Sequence, residues 1–310
     1  MNNVITKNET IMSVEGLTKN FKSGLINPKI TVAAKNVSFE LTPGKIISLV
    51  GESGSGKTTV GRLLLKLIQP TAGKIFYRGK DITQIKTRNE KISYYRKVQA
   101  VFQDPFASFN PLYKVDRVFN MIFENYLKDE NNKKEKIEKA LSEVHLNIER
   151  TLGKYPHQLS GGQLQRLLIA RALLLDVDIL IADELISMLD ASTRIGVLNL
   201  LAEICEKKGM SIIFITHDLN LGYYISEETL IMYKGRLVEK GNTKKIYENP
   251  LHPYTKMLFK AVPEIGEKWD KDEDFFPEQV VNEVKNFYKA NAKKGFVEVE
   301  SNHSVLFSDD

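Results

Sequence analysis

An eight-residue glycine-rich segment joins an apolar run to an amphipathic one and limits the folds open to the chain. The β-branched run that starts at Ile46 predicts a buried strand, and the run from Val60 to Leu67 has the apolar spacing of a helix. The segment fits G-x-x-x-x-G-K-[ST], a pattern in which backbone N–H groups and a helix N-terminus surround phosphate oxygens. A glycine-rich turn without a ligand is the alternative, but the flanking strand and helix favour a phosphate site. The residues of this P-loop are Gly51, Glu52, Ser53, Gly54, Ser55, Gly56, Lys57 and Thr58.

Two side chains of the P-loop have specific expected roles. The Lys57 ammonium is expected to hold the β- and γ-phosphates of a nucleotide, and the Thr58 hydroxyl to ligate Mg²⁺. Thr59, the next residue, is expected to be a further nucleotide ligand.

Polar residues follow two later apolar runs that read as buried strands. Residues 178–183 end in Asp183, with Glu184 directly after it, and residues 211–218 carry His217 near their end. In a parallel sheet these ends meet at the edge where the P-loop begins. We expect Asp183 to bind magnesium, Glu184 to deprotonate the attacking water and His217 to contact a γ-phosphate. Helix capping by the acids and a structural role for the histidine are the alternatives.

The chain divides into stretches with different patterns. Strands alternating with helices predict an α/β core with a parallel sheet. Short β segments near the N-terminus and at residues 73–82 and 230–241, with Gly-centred turns, predict an antiparallel addition to it. Amphipathic helices without strand-like runs occupy residues 104–176, which we interpret as a helical subdomain inserted into the core. We therefore predict a nucleotide-binding domain over 11–241 and a C-terminal extension over 242–310.

A second candidate anion site precedes the helix that ends this subdomain. The LSGGQ segment contains Ser160, Gly161, Gly162 and Gln163. A serine N-cap with two glycines exposes backbone donors at a helix start, although a simple capped helix is the alternative.

Composition excludes several classes of protein. The 310 residues carry 44 Lys and Arg against 39 Asp and Glu, so the net charge of +5 gives little electrostatic reason to expect nucleic acid as a partner. The single cysteine, Cys205, excludes a disulfide framework and indicates a reducing, cytosolic compartment. We expect neither a secretory signal nor a membrane-spanning helix, because charges such as Arg171 and Asp176 interrupt the most apolar stretch.

Six motifs occur together in the order and approximate spacing of the ABC-transporter ATPases, so residues 11–240 resemble that family. They are the P-loop, Gln103 in its loop, the LSGGQ segment, the strand ending at Asp183 and Glu184, residues 187–190, and His217. The resemblance implies ATP hydrolysis with Mg²⁺ by two subunits that close head to tail, with each ATP between the P-loop of one and the LSGGQ segment of the other. It implies that Gln103 contributes to the metal and catalytic site and transmits closure to permease helices. It also implies that Phe21 stacks on adenine, with a core phenylalanine as the alternative.

The resemblance extends into the C-terminal extension. Residues 249–255, together with the Gln103 loop, are similar to those of the oligopeptide and dipeptide importer ATPases, particularly the F type. This implies a companion ATPase or a second copy of the chain, two permeases, an extracellular solute-binding protein and a place on the cytoplasmic membrane face. Related ATPases serve nickel and oligosaccharide uptake, and a soluble ABC ATPase outside transport is a less favoured reading.

The chain departs from the family pattern in two places. Leu185 stands where the family commonly has proline, and no cysteine cluster is present in the extension. We expect Tyr254, Leu258 and Phe259 to pack on the core and the chain from Asp270 onward to be loosely structured.

Overall fold

The computed structural model describes residues 10–24, 29–261, 277–291 and 295–307. The strands are β1 (Met12–Ser23), β2 (Lys29–Leu41), β3 (Ile46–Val50), β4 (Ala72–Tyr77), β5 (Lys80–Asp81), β6 (Val98–Phe102), β7 (Ile179–Asp183), β8 (Ser211–Thr216), β9 (Glu228–Tyr233), β10 (Arg236–Asn242), β11 (Phe296–Glu300) and β12 (His303–Leu306). The α-helices are α1 (Lys57–Leu64), α2 (Arg88–Lys97), α3 (Arg117–Tyr126), α4 (Lys133–Glu143), α5 (Ile148–Thr151), α6 (Gly161–Leu173), α7 (Ala191–Lys208), α8 (Leu219–Ile225), α9 (Thr243–Glu248), α10 (Pro253–Lys260) and α11 (Pro277–Ala290).

The main sheet is mixed and has the strand order β11-β12-β10-β9-β3-β8-β7-β6. Strands β9, β3, β8, β7 and β6 run parallel, whereas β10, β12 and β11 add antiparallel pairings at one side. The predicted α/β fold with a mixed sheet is confirmed. The P-loop, Glu184 and His217 follow β3, β7 and β8, so all three lie at the carboxyl edge of the parallel strands.

The apolar runs form strands because both faces of the sheet are covered. Side chains alternate along β7, so that Leu180 and Ala182 join the core beneath the helices of residues 104–176, whereas Ile179 and Ile181 join the core that contains α1. A strand buried on both faces has no polar side to present, which explains the unbroken apolar sequence.

The antiparallel addition is a separate sheet with the order β2-β1-β4-β5. Residues 103–178, all of them described, contain α3 to α6 and no strand. Among the described helices, none is both long enough and apolar enough to cross a membrane.

Two predicted helix faces need correction. Leu67 is 57% exposed because α1 ends at Leu64 and Lys66 takes a left-handed conformation, with φ of 52°. The sequence predicts that Ile195, Leu198, Leu201 and Cys205 form the buried face of α7, and this is wrong only for Ile195, which is 41% exposed.

The expectation of a loose chain after Asp270 is wrong for the residues that the structure describes there, although Asp270 itself lies outside them. Helix α11 buries Val280 and Val284, which are four residues apart, and β12 pairs with β10. Most of the charges that suggested a solvated tail precede these apolar positions, in residues 270–278 of the sequence. Tyr254 is fully buried as expected, and Leu258 and Phe259 are partly buried against the same cluster.

Candidate functional site

The P-loop lies against two neighbouring backbones that fix its shape. Gly56 has φ of 107°, and a Cβ there would lie 2.1 Å from the carbonyl oxygen of Ala33 in β2, so only glycine fits. Gly235, in the turn between β9 and β10, donates its N–H to the Ser55 carbonyl at 2.8 Å. The sequence analysis did not identify Gly235, although a Gly-centred turn was its local signal.

Lys57 lies inside the loop rather than projecting into solvent. Its ammonium donates to the carbonyl oxygens of Gly51 at 2.7 Å and Glu52 at 2.8 Å. Burial lowers the pKa of Lys57, and the carboxylates of Glu184 and Asp183 oppose this shift. The ammonium is therefore held beside the acid pair, next to the first turn of α1.

The two predicted magnesium ligands from different elements lie together. The Thr58 hydroxyl donates to the Asp183 carboxylate at 3.3 Å. Burial raises the pKa of Asp183, and the hydrogen bond from Thr58 opposes the shift. An alcohol and a carboxylate fit Mg²⁺, which commonly takes one or two protein oxygens and completes its shell with phosphate and water. Within the described ranges, no three His, Cys, Asp or Glu side chains form a metal site of their own.

Glu184 and His217 form a direct contact. The Nδ1 atom of His217 lies 3.1 Å from a carboxylate oxygen of Glu184, and the histidine is the more exposed partner. Glu184 has φ of 48°, and its N–H donates to the carbonyl of Ile215 at 2.9 Å. The left-handed turn thus begins while the backbone is still bonded to β8, which directs the carboxylate to the sheet edge.

One buried P-loop atom lacks a partner. Among the described residues, the Ser55 hydroxyl is buried and makes no hydrogen bond. A buried polar atom without a partner is costly, so a phosphate oxygen is a suitable ligand for it. Ser53, Gly54 and Thr58 are exposed at the mouth of the loop, and Thr59 is half-buried in α1.

Gln103 is connected to Leu185, the residue after the acid pair, through a residue that the sequence analysis missed. The Gln103 side chain is exposed, but its carbonyl accepts a hydrogen bond at 3.2 Å from Gln165 in α6. The same Gln165 amide donates to the Leu185 carbonyl at 2.6 Å. Because Gln165 lies in an apolar helix, its polar role required the fold to be known. Neither contact brings the Gln103 side chain itself to Asp183.

The LSGGQ segment is a reciprocal cap at the start of α6. The Ser160 hydroxyl accepts from the Gln163 N–H at 3.2 Å, and the Gln163 side chain accepts from the Ser160 N–H at 2.9 Å. A Cβ at Gly162 would lie 2.4 Å from Thr193 Cγ2, and Gly161 packs near Leu189. Ser160 is exposed. The cap therefore leaves this serine on the surface of the helical segment.

Phe21 is a surface residue rather than a core one. It is 42% exposed on β1, with the Lys19 ammonium 5.2 Å from the ring centre. Strand β1 pairs with β2, and Ala33 of β2 lies against Gly56 of the P-loop. Stacking of Phe21 on adenine stays a prediction.

A P-loop at the carboxyl edge of a buried parallel sheet, with an acid pair at the end of β7 two strands away, defines a P-loop nucleotide-binding protein. Residues 34–187 match the family described as ABC transporter, and residues 238–289 match the oligopeptide/dipeptide transporter C-terminal region. The dipeptide transport ATP-binding protein DppF of Haemophilus influenzae is 40% identical over 270 residues, which are 86% of this chain and 82% of that protein. The oligopeptide transport ATP-binding protein OppF of Streptococcus pyogenes serotype M1 is 44% identical over 257 residues, 82% of each chain.

Solved structures show the same likeness. A dimeric post-hydrolysis structure of the ATP-binding cassette MJ0796 with ADP and Pi has a TM-score of 0.66 and 27% identity, over 75% of this chain and 98% of that one. CbiO1 from Clostridium perfringens has a TM-score of 0.66 and 25% identity, over 78% and 92%. The chain belongs to the ABC transporter family, among the ATP-binding proteins of its oligopeptide and dipeptide branch.

Proposed function

We propose that this chain binds and hydrolyses ATP to energise the import of oligopeptides or dipeptides. The observation that carries the proposal is the convergence of Asp183, Glu184 and His217 on the P-loop. The match of its C-terminal region and the names of its relatives support a peptide as the solute. Nickel or oligosaccharide import by the same machinery is the alternative.

Each polar group has a definite task in the proposed reaction. Glu184 takes the proton of the attacking water, and His217 orients that carboxylate and contacts the γ-phosphate. Lys57 neutralises the phosphate charge that develops as the bond breaks. Bound Mg²⁺, held by Thr58 and Asp183, with Gln103 as a further expected ligand, supplies additional charge neutralisation at the phosphates.

Two such subunits are proposed to close head to tail. The exposed Ser160 and the glycines beside it support a role toward ATP bound by the partner's P-loop, since the helix N-terminus is a ready anion site. The partner is either a second copy or a companion ATPase.

We further propose that the helical segment docks on two permease subunits at the cytoplasmic membrane face. Large apolar side chains next to Gln103 support this placement, because Phe106 is 50% exposed and Leu112 is 80% exposed. An extracellular solute-binding protein delivers the peptide, and nucleic acid has no part in the cycle.

Uptake measurements test the proposal. Cells in which the Glu184→Gln variant replaces the chain are expected to lose uptake of a radiolabelled tripeptide while keeping uptake of a free amino acid. Glu203→Gln, which alters a surface acid paired with Lys207, is the matched control and should leave tripeptide uptake unchanged. Loss of nickel or oligosaccharide uptake with normal tripeptide uptake would overturn the peptide assignment.

A further inference from the structure

A tyrosine of the C-terminal extension reaches the P-loop directly. Tyr254 lies in the first turn of α10, and its hydroxyl accepts the N–H of Glu52 at 3.0 Å. Its ring stacks on Tyr233 at the end of β9, with ring centres 4.2 Å apart and planes inclined by 28°. The tyrosine is fully buried although its partner backbone lies at the edge of the nucleotide site.

The bonded N–H belongs to the peptide unit that also holds Lys57. The Gly51 carbonyl and the Glu52 N–H are the two polar groups of one trans peptide, so they point in opposite directions. Lys57 donates to the carbonyl on one side, and Tyr254 accepts from the N–H on the other. These two hydrogen bonds fix the rotation of the peptide plane and, with it, the direction of the Lys57 ammonium.

The extension in turn fixes Tyr254. The Nδ1 atom of His252 accepts the Tyr254 N–H at 3.2 Å and so caps α10, and Nε2 of His252 lies 3.2 Å from the Tyr288 hydroxyl of α11. The N–H of His252 donates to the buried Glu239 carboxylate at 3.0 Å. The tyrosine therefore rests on β10 and α11 as well as on Tyr233.

We propose that Tyr254 is a positioning residue for ATP binding, through which the C-terminal extension holds the P-loop peptide that orients Lys57. The inference rests on the proposed ATP site. Tyr254 contacts neither phosphate nor water in this scheme. It strengthens the binding of the substrate and of the transition state equally, because both need the Lys57 ammonium in the same orientation.

Tyr254→Phe removes the hydroxyl and keeps the stacked ring. The affinity for MgATP, measured with a fluorescent ATP analogue, is expected to fall about threefold to tenfold, the range typical for one hydrogen bond. The KM for ATP should rise by the same factor while kcat stays within about twofold, which is the pattern of lost uniform binding. Hydrogen exchange at the P-loop backbone should become faster.

Tyr288→Phe is the matched control, because it deletes a hydroxyl of the same extension that bonds His252 and not the P-loop. Because His252 keeps its hydrogen bonds to Tyr254 and Glu239, Tyr288→Phe should lower the melting temperature and raise KM clearly less than Tyr254→Phe does. Tyr233→Leu, which removes the stacked ring but leaves the Tyr254 hydroxyl, should raise KM in the same direction and serves if Tyr254→Phe is insoluble.

Lys57→Ala separates failure of this inference from failure of the ATP site. If the wild type binds MgATP, Lys57→Ala does not, and both Tyr254→Phe and Tyr233→Leu bind like the wild type, the positioning role is wrong. If Tyr288→Phe raises KM as much as Tyr254→Phe, the effect is a general loss of structure and the role is also wrong. If the wild type and Lys57→Ala bind MgATP equally, the proposed function itself fails.

Discussion

At the scale of single residues, Glu184 combines a costly backbone conformation with a polar contact. A left-handed conformation at a residue other than glycine costs on the order of 1 kcal/mol, and here its φ is 48°. The bond from its N–H to Ile215 and the contact with His217 maintain this conformation. The turn therefore places the carboxylate where β7 and β8 end, beside Lys57.

Glu184→Gln should separate ATP binding from hydrolysis. The amide keeps the size and polarity of the side chain but removes the base, and loss of a general base costs about 10²- to 10⁴-fold in rate. Steady-state phosphate release should fall by that factor, while size-exclusion chromatography with ATP should show an accumulated dimer. Glu203→Gln should match the wild type in both measurements. Unchanged phosphate release in Glu184→Gln would show that another group activates the water.

Sequence reasoning predicted where residues with a fixed spacing lie and missed residues whose contacts depend on the fold. Asp183 and Glu184 were predicted beside the P-loop because strand ends meet at one edge, and the structure has Thr58 bonded to Asp183. Gln165 and Tyr254 gave no such signal. One lies in an apolar helix and the other is 202 residues from its P-loop partner.

At the scale of elements, the cap of α6 permits a clean test of the shared site. Asp is as good an N-cap as Ser, so Ser160→Asp should keep the helix start while placing a negative charge toward the partner's phosphate. Gly162 is a poorer target, since any side chain there meets Thr193. Ser160→Asp and Lys57→Ala should each be inactive alone. In a mixed dimer, the intact Lys57 of one chain faces the intact Ser160 of the other, so one of the two sites works. About half of randomly formed dimers are mixed, and the mixture should therefore recover roughly a quarter to a half of the ATPase activity.

Mixing tests need a control for folding and for pairing. Ser160→Asn keeps the cap without the charge and should retain most activity. The mixed dimers are to be isolated with two different affinity tags before the assay. A mixture as inactive as each parent, with mixed dimers present, contradicts the shared site.

The cap of α10 predicts a pH dependence of stability. Burial lowers the pKa of His252 to about 4 from 6.5, so the unfolded chain binds more protons than the folded one between those values. Stability should therefore fall as the pH drops through this window, by about 3 kcal/mol at its lower end. His252→Asn, which can still cap α10, should flatten the dependence in urea unfolding curves from pH 4 to 7.

A second histidine contributes with the opposite sign. Burial lowers the pKa of His303, but its bonds to Glu239 and Glu300 outweigh burial and leave it raised. Its contribution is present at low pH and is lost as the pH rises through the folded pKa.

The control for the His252→Asn measurement is His157→Asn, a surface change that should leave the pH profile of stability unaltered. An unchanged pH slope in His252→Asn would contradict the prediction.

Elements with long-range partners were the hardest to predict. The run Val98–Phe102 was not predicted as a strand, because five mixed residues before a loop carry little signal until β7 supplies the hydrogen bonds. Helix α11 was missed because a strongly charged run, residues 270–274, precedes it, although the i, i+4 spacing of Val280 and Val284 was visible. The core strands β3, β7 and β8 were predictable, because a short continuous apolar run is typical of a strand that is buried on both faces.

At the scale of the whole molecule, the C-terminal extension is part of the main sheet. The Nε2 atom of His303 in β12 lies 2.7 Å from a carboxylate oxygen of Glu239 in β10, and both side chains are fully buried. Glu239 also accepts the N–H groups of Leu251 and His252. This buried group of contacts connects the end of the described chain to the strand beside β9.

A chain that stops after Gly266 should bind ATP but be less stable. It keeps Tyr254 and loses α11 and β12, so ATP affinity should stay within about threefold, or ~0.7 kcal/mol. Glu239 loses His303, and breaking a buried pair typically costs about 3–5 kcal/mol in the free energy of unfolding. Calorimetry measures the loss of stability, and ATP titration measures the affinity. Assembly with the companion ATPase should be impaired, and co-purification measures it.

Glu239→Gln in the shortened chain is the informative companion variant. The amide leaves no charge behind and should recover part of the lost stability. A large loss of ATP affinity in a folded shortened chain would mean that residues after 266 contribute to the nucleotide site, contrary to this prediction.

The late position of β12 has a consequence during synthesis. Residues 243–302 lie between β10 and its partner β12, so a ribosome moving at about 5–20 residues per second leaves the β10 edge open for roughly 3–12 seconds. An open edge invites pairing with other nascent chains, and a charge on the edge strand hinders such pairing. The Glu239 carboxylate occupies that position until His303 arrives. The group that the finished protein buries thus protects the unfinished sheet from aggregation.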